Sequence, residues 1–407
     1  MGSTLPPSPA VAASSSPVES CSSPSEGDEW SWLRRLLLRA LLLRLALAVL
    51  LDVTGFSMRL APDEETYALH GGEIALYWTG ATLVRPWRLA THEPHAYFYM
   101  NGVSALLFGQ STLPLKLLNA LAGTLTCRYF YLIARELFGI AVAQRATLYA
   151  AFFPSLVLWS TLNIRDVWVI LLIAFISWKS LQVVRGYSHG ALLAVVAATY
   201  LLAQFRDYLF YVVALPPVMA FLIGRRGHLG RNLVLASLGG LGVVVLMQTG
   251  AFGPRAVSRF SLETMSQVRE DMATGGSAFE GRVDISTPAK AVAFLPKGLA
   301  FFFFSPFPWQ ITSLLKLFSL PEMVLIYFLT PAVVRGVGFT VRHRLREALQ
   351  VLLLTALMTV AYALGEGNVG TLYRHRAQTV AFYLIFAAVG RELARIRADA
   401  RQAAEIA

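Results

Sequence analysis

Long apolar stretches, separated by short polar connections, recur along almost the whole chain. A helix that spans a bilayer needs roughly 20 mostly apolar residues, because hydrocarbon cannot satisfy a bare peptide group. The pattern predicts about ten such spans. They are expected at about residues 33–51, 114–133, 146–162, 167–183, 188–204, 208–223, 232–250, 320–336, 347–364 and 374–391. The sequence therefore predicts an all-α, polytopic transmembrane helical bundle.

The remaining segments are predicted to be tails and loops of this bundle. Residues 1–28 are rich in Ser and Pro and are expected to form a disordered tail. Residues 399–407 are expected to form a short C-terminal tail, so that the bundle occupies residues 29–398. External loops are expected at about 54–96 and 251–320, and the Trp and Tyr side chains of the first loop suit extracytoplasmic juxtamembrane helices.

The positions of the arginines predict how the bundle is oriented. Arg34 and Arg35 at the start of the first span place the N-terminus in the cytoplasm, and Arg391 and Arg395 after the last span place the C-terminus there. An even number of spans follows, in the plasma (inner) membrane of a bacterium. The sequence leaves open whether residues 285–320 cross the membrane or only dip into it.

The composition agrees with a membrane protein and indicates which classes of partner to expect. Apolar residues make up 56% of the chain and charged residues 14%, against about 25% charged in ordinary soluble domains. The net charge is +11, but its cations fall mostly between spans. We therefore expect membrane lipids, and no nucleic acid, among the partners. The two cysteines, Cys21 and Cys127, predict neither a disulfide framework nor a metal site.

Three adjacent carboxylates, Asp63, Glu64 and Glu65, lie about ten residues beyond the first span. Their mutual repulsion favours a proton on at least one of them, which suits a general base or a cation site. The alternative is a solvated loop, or the first turn of a helix, where acids favour the helix dipole. Asp166, at the outer end of the third span, is a further candidate acid, although an Arg–Asp pair there is often only an interface anchor.

Arg374, His375 and Arg376 stand at the start of the last span. Cations at headgroup depth are costly without an anionic partner, and a lipid-linked phosphate would supply one. The alternative is that these side chains snorkel to ordinary headgroups. Three further cations could bind the same anion: Arg85, Arg88 and Lys297. The Arg206–Asp207 pair is interpreted as an ordinary helix flank.

Other catalytic motifs are weak or missing in the sequence. Pro94 breaks any local helix in the cluster His92, Glu93 and His95, so the i,i+4 geometry of helical metal ligands is absent and metal binding there is not expected. The metal site stays unknown, and a divalent cation stays possible. No P-loop or GxSxG motif is present.

Several segments occur in a characteristic order over roughly the first 180 residues. They are residues 62–67, 107–111, 118–126 and 134–139, followed by Pro154, Arg165 and Asp166. Together they resemble the GT-C superfamily of membrane glycosyltransferases, in particular its protein O-mannosyltransferase and aminoarabinose-transferase branch. The resemblance implies that Asp63, with Glu64 beside it, is the base or acceptor organiser. It also implies that Asp166 is the acid of a second loop.

The predicted function follows from this resemblance. The chain would move a sugar from a polyprenyl-phosphate-linked donor to a glycan, lipid or protein acceptor on the outer face, with no other certain cofactor. The alternatives are a transporter or flippase for a lipid-linked glycan, a polymerase or ligase that moves a whole glycan, and a non-catalytic subunit of surface-polysaccharide assembly. The enzyme hypothesis requires Asp63 and Arg374 to lie in one pocket.

Overall fold

The computed structural model describes residues 26–86, 89, 95–186, 188–224, 261–273, 279, 283–311, 317 and 319–406. Within these ranges the regular structure is helical. The α-helices are α1 Glu26–Val53, α2 Ser57–Leu60, α3 Asp63–Trp78, α4 Ala96–Phe108, α5 Leu113–Phe138, α6 Ile140–Phe152, α7 Pro154–Trp159, α8 Asp166–Gly186, α9 His189–Phe205, α10 Leu209–Gly224, α11 Leu262–Met272, α12 Pro288–Phe304, α13 Leu320–His343, α14 Leu345–Gly365 and α15 Val369–Ile406.

Among the described residues, four helices, α5, α8, α13 and α14, are long and apolar enough to cross a membrane by length and composition. Helices α4, α9 and α10 are shorter and apolar. The predicted all-α membrane bundle is thereby confirmed, whereas the count of about ten spans is not. The predicted span at 232–250 and the tail at 1–25 lie outside the described residues. Helix α1 already begins at Glu26, inside the predicted tail.

The prediction of one continuous span over residues 146–162 was wrong. Helix α6 ends at Phe152, and Phe153 is extended, with ψ 127°, before Pro154 opens the short helix α7. Proline supplies no amide hydrogen and disfavours a helical conformation of the residue before it. The break leads into residues 160–165, which carry the chain to Asp166 at the start of α8.

Polar side chains from two neighbouring helices satisfy the broken backbone. Arg44 of α1 donates to the carbonyl oxygen of Ala151 at 2.9 Å and to Ser160 Oγ at 3.0 Å. Glu322 of α13 accepts a hydrogen bond from the Ser155 amide at 2.8 Å. Irregular backbone at membrane depth is tolerated only where protein groups satisfy it. The break is therefore stabilised at both helix ends: the Arg44 cation lies at the end of α6, and the Glu322 carboxylate lies at the start of α7, as the helix dipoles favour.

Helices α13 and α15 run in the same direction and touch backbone to backbone. A methyl group built on Gly336 would overlap the carbonyl oxygen of Phe386, and one built on Gly390 would overlap that of Ala332. Small residues at such crossings allow helices to approach closely within a membrane. This contact fixes α15, whose first turns carry Arg374 and His375.

We expect Gly336→Ala to lower stability by about 1–3 kcal/mol, because the added methyl must push α13 and α15 apart. Gly338→Ala is the matched control, since open space surrounds that glycine on the same helix. Thermal unfolding of both variants in detergent measures the difference. Equal melting temperatures for the two variants would contradict the close packing.

The segments that the sequence predicts as external loops also pack onto the bundle. Helices α2, α3 and α4 lie in or beside the first predicted loop, and the three acids occupy the first turn of α3. In the second loop, Arg269 of α11 is fully buried and donates to the carbonyl oxygens of Leu364, at 3.1 Å, and Glu366. Its guanidinium also lies over the rings of Phe279 and Phe294, at 5.1 and 4.4 Å from their centroids. These contacts fix the turn between α14 and α15.

Candidate functional site

Four segments that are distant in sequence converge at one end of the helices. They are the start of α3, the start of α8, the connection between α9 and α10, and the first turns of α15. Each contributes a charged side chain to one cluster, which we call the Arg374 cluster and define by Asp63, Asp166, Arg206, Arg374 and His375. Because helix ends meet here, long charged side chains reach one another without entering the apolar middle of the bundle.

Arg374 joins the two acids that the sequence places far apart. Its Nη1 lies 2.5 Å from Asp63 Oδ2, and its Nε lies 3.1 Å from Asp166 Oδ2. The side chain of Asp63 is 49% exposed, that of Arg374 17% and that of Asp166 1%. The cluster therefore has an accessible carboxylate at its mouth, a guanidinium behind it and a buried carboxylate at its base.

Asp166 is held by further partners besides Arg374. Its Oδ1 accepts hydrogen bonds from Arg206 Nη2 at 2.8 Å and from Gln378 Nε2 at 2.9 Å. A buried charge without such partners would cost several kcal/mol. With both oxygens engaged and almost no exposure, Asp166 is suited to orienting the arginines rather than to receiving a proton from a substrate.

His375 completes the support of Arg206. Its Nδ1 contacts Glu366 Oε1, and its Nε2 lies 2.6 Å from Arg206 Nη1. Since a guanidinium only donates, Nε2 must accept and Nδ1 must donate, which is the pattern of a neutral imidazole. The ring is buried and both nitrogens are occupied, so His375 has no donor left for the predicted phosphate.

Arg165 and Tyr67 lie beside the Arg374 cluster. Arg165 is half-buried and donates to the carbonyl oxygen of Phe205 at 3.1 Å. Burial raises the pKa of the Tyr67 phenol above its ordinary value, and the charges of Arg165 and Arg374 partly oppose the rise. Tyr67 therefore stays neutral and keeps its hydroxyl hydrogen, next to a surface rich in guanidinium groups.

Glu64, the second candidate base, points away from this mouth. It is fully buried. Its Oε1 accepts a hydrogen bond from the backbone N–H of Asn163 at 2.6 Å, and its Oε2 lies 3.2 Å from Lys116 Nζ. Lys116 also contacts Asp52 and the Ser57 hydroxyl, at 2.8 and 2.9 Å. These contacts tie α3 to the loop before Asp166, and they leave Asp63 as the accessible acid of the pair.

A set of hydrogen bonds from Asn and Tyr side chains holds the same loop in place. Asn119 donates to the carbonyl oxygens of Leu162 and Ile164, at 2.7 and 3.2 Å. Tyr97 donates to Asn163 Oδ1 at 2.7 Å, and Asn163 donates to Asn101 Oδ1 at 2.9 Å. The loop that presents Arg165 and Asp166 is thus fixed by side chains from α4 and α5.

Arg376, the third predicted phosphate ligand of α15, lies outside the Arg374 cluster. It is buried and donates to the carbonyl oxygens of Ser305 and Phe302, at 2.5 and 3.2 Å. Its Nη2 lies 3.6 Å from Glu322 Oε1. These contacts join α15 to α12 and α13, so a phosphate role for Arg376 stays a prediction without geometric support.

Arg85, the first of the remaining predicted cations, lies away from the Arg374 cluster. Arg85 is exposed and donates to the carbonyl oxygen of Leu89 at 2.7 Å. It follows α3, whose 16 residues separate it from Asp63 by about 24 Å of helical rise. Lys297 is an exposed residue of α12, and Arg88 lies outside the described residues.

The interpretation of Arg206 as an ordinary flank was wrong, because its guanidinium contacts Asp166, His375 and Tyr208. Its place next to an acid at the outer end of a span, on the same predicted side as Asp166, was the available signal. Sequence reasoning assigned no role to Glu366. Neither partner could be assigned without knowing how α9 and α15 pack.

In the part of the chain that the structure describes, no group of three or more His, Cys, Asp or Glu side chains could hold a metal ion. The possible divalent cation stays a prediction, and His92 and Glu93 lie outside the described residues.

Comparison with known proteins tests the predicted resemblance. A family model described as dolichyl-phosphate-mannose-protein mannosyltransferase matches residues 92–249, which is less than half of the chain. ArnT from Cupriavidus metallidurans, solved with undecaprenyl phosphate, superimposes with a TM-score of 0.54 at 17% identity. The oligosaccharyltransferase AglB from Archaeoglobus fulgidus, solved with an inhibitory peptide and a dolichol-phosphate, gives a TM-score of 0.57 at 15% identity.

The chain has the GT-C fold. The match covers 88% of this chain and 60% of ArnT, and 93% of this chain and 52% of AglB. The chain therefore spans between half and two thirds of these solved GT-C chains. The comparison with curated proteins found no match. Together, the fold and the long apolar helices α5, α8, α13 and α14 indicate a GT-C-like membrane protein.

Proposed function

We propose that this protein is a membrane glycosyltransferase that moves a sugar from a polyprenyl-phosphate-linked donor to a glycan, lipid or protein acceptor. The observation that carries the proposal is the position of Arg374, whose guanidinium bridges the accessible Asp63 and the buried Asp166. The lipid phosphates in the ArnT and AglB structures support a donor of this class. On the predicted topology, the reaction takes place at the outer face of the plasma membrane.

Binding of the donor would exchange one anion for another. Arg374 Nη1 donates to Asp63, and a phosphodiester that enters the mouth would compete for the same donor group. A guanidinium binds phosphate oxygens in the planar geometry that it also offers to a carboxylate. Asp166 holds Arg374 Nε throughout, so the guanidinium keeps its orientation while Asp63 is released.

The released Asp63 would then act as the general base. It takes the proton from the acceptor hydroxyl as the acceptor oxygen forms a bond to the anomeric carbon. The bond between that carbon and the phosphate oxygen breaks, and its electron pair leaves with the polyprenyl phosphate. Arg374 stabilises the charge that develops on this leaving group.

Arg206, Asp166 and His375 would be positioning residues in this reaction. They contact Arg374 or one another, and their burial keeps them from the mouth. Their ion pairs and hydrogen bonds preset the direction of the Arg374 side chain before the donor arrives. Such preorganisation removes reorganisation cost at the moment of transfer.

An apolar groove of about 580 Å³ offers a place for the lipid tail of the donor. It is formed by α1 and α7, and its wall includes Tyr373, the residue before Arg374. Leu43, Leu47 and Leu50 of α1 line its length. A polyprenyl chain in this groove would keep its phosphate at the level of the first turn of α15.

A transporter for a lipid-linked glycan is the second candidate, and the helix break before Pro154 favours it, since transporters often carry broken helices near the membrane midplane. Here, however, Arg44 and Glu322 form hydrogen bonds with backbone groups of the break. The break therefore does not by itself indicate a polar path across the bundle.

Reconstitution in liposomes distinguishes these two functions. Polyprenyl-phosphate-linked mannose with a labelled sugar is the donor probe, and a membrane extract of the source organism supplies acceptors. We expect labelled product and free polyprenyl phosphate, and we expect Asp63→Asn to form both far more slowly. Movement of the intact donor between leaflets without cleavage would contradict the proposal and support the transporter.

A further inference from the structure

A second groove, of about 490 Å³, lies between α6, α13 and α15. We call it the Arg391 groove. Its walls are mainly apolar, and Leu148, Phe152 and Phe328 in them are partly exposed. It lies on the side of α15 that carries Arg391, and Arg374 does not line it. A groove of this size is within the range of small-molecule and lipid sites.

The groove has cations at one end only. Arg145 of α6 and Arg391 of α15 both line it. Arg145 shares Glu392 with Arg395, through contacts of 2.7 and 2.6 Å. Arg391 lies over the Phe328 ring, 4.4 Å from its centroid. In the described residues no carboxylate lies within ion-pair distance of Arg391, so this end of the groove carries an excess of positive charge.

This charged end belongs to the opposite membrane surface from the Arg374 cluster. Arg391 follows Arg374 by 17 positions on the continuous helix α15, which corresponds to about 25 Å of helical rise. Arg145 lies in the second turn of α6, close to the α5–α6 connection at Gly139. The predicted topology assigns this surface to the cytoplasm. A single headgroup therefore cannot occupy both sites.

We propose that the Arg391 groove binds an anionic diacyl phospholipid of that leaflet. The phosphate would accept hydrogen bonds from Arg391 and Arg145, and one acyl chain would lie against Leu148, Phe152 and Phe328. Basic pockets between membrane helices attract anionic headgroups, and each arginine near the surface adds to the attraction. The apolar walls select a lipid rather than a free phosphate ion. This site is independent of the proposed transfer reaction.

Lipid binding to the full-length protein in detergent tests this site. Native mass spectrometry measures occupancy by phosphatidylglycerol, by zwitterionic phosphatidylcholine and by inorganic phosphate. We expect phosphatidylglycerol to bind in preference to phosphatidylcholine, and inorganic phosphate not to bind. Arg391→Gln should weaken phosphatidylglycerol binding roughly fivefold, whereas Arg342→Gln, an exposed arginine of the last turn of α13, should leave it unchanged.

Leu148→Trp provides a second variant that removes no charge. The larger side chain fills the groove from an exposed position, so we expect it also to lower phosphatidylglycerol occupancy without lowering the melting temperature of the lipid-free protein. Unchanged occupancy in both Arg391→Gln and Leu148→Trp would overturn the proposal. Equal binding of the two lipids, or equivalent binding of inorganic phosphate, would overturn it as well.

Discussion

Asp63→Asn is expected to lower the rate of sugar transfer by about 10²–10⁴-fold, the usual contribution of a positioned general base. The amide has nearly the shape of the carboxylate but cannot take the acceptor proton at neutral pH. Asp63 is half exposed and contacts Arg374 at the mouth of the cluster, so the fold should survive the change. Turnover of the labelled donor in liposomes measures the effect.

The matched control is Glu65→Gln, which removes a neighbouring exposed carboxylate from the same helical turn. We expect its transfer rate to stay within about twofold of the unmodified protein, as for surface changes away from the chemistry. If the two variants lost activity equally, the acids would act through their summed charge. Asp63 would then not be the base.

Arg374→Lys is expected to lower transfer by about 10²–10³-fold, the effect of removing one preorganised donor to a developing oxyanion. Lysine keeps the positive charge, but a single ammonium cannot replace the fork that contacts Asp63 and Asp166 together. Single-turnover rates of the purified variant, compared with those of Arg401→Lys at the far exposed end of α15, measure this loss.

Binding of polyprenyl phosphate separates the roles of these two residues. Arg374→Lys should bind the lipid more weakly, because the phosphate loses its guanidinium. Asp63→Asn should bind it at least as tightly as the unmodified protein, because the competing carboxylate is gone. Weaker binding by Asp63→Asn would show that Asp63 assists the phosphate instead of exchanging with it.

Hydrophobic periodicity was sufficient to predict a helical membrane protein, because spanning helices leave long apolar runs. It could not reveal the break at Pro154, since the apolar run continues through it. Asp63 and Arg374 could be chosen as candidates, because charges at helix ends need partners. The partners themselves could not be predicted. Glu64 carries the same kind of charge as Asp63, and Arg376 the same as Arg374. Only the direction in which each side chain leaves its helix places Glu64 and Arg376 in buried networks instead of the Arg374 cluster.

Arg206 shows the converse case, a residue of the cluster that was not predicted. Its sequence context is that of an ordinary interface flank, and its role depends on α9 bringing it against α8 and α15. The side chain of Arg206 reaches Asp166 and His375 because these helices end at one level. Contacts between segments 40 and 169 residues apart leave no local pattern in the sequence.

The most direct test of the Asp63–Arg374 exchange is a cryo-electron microscopy structure of the full-length protein in nanodiscs with polyprenyl phosphate. We expect the phosphate within hydrogen-bond distance of Arg374, Asp63 separated from the guanidinium, and Asp166 still paired with Arg374 Nε. A phosphate bound elsewhere, with the Asp63–Arg374 ion pair intact, would contradict the proposed site.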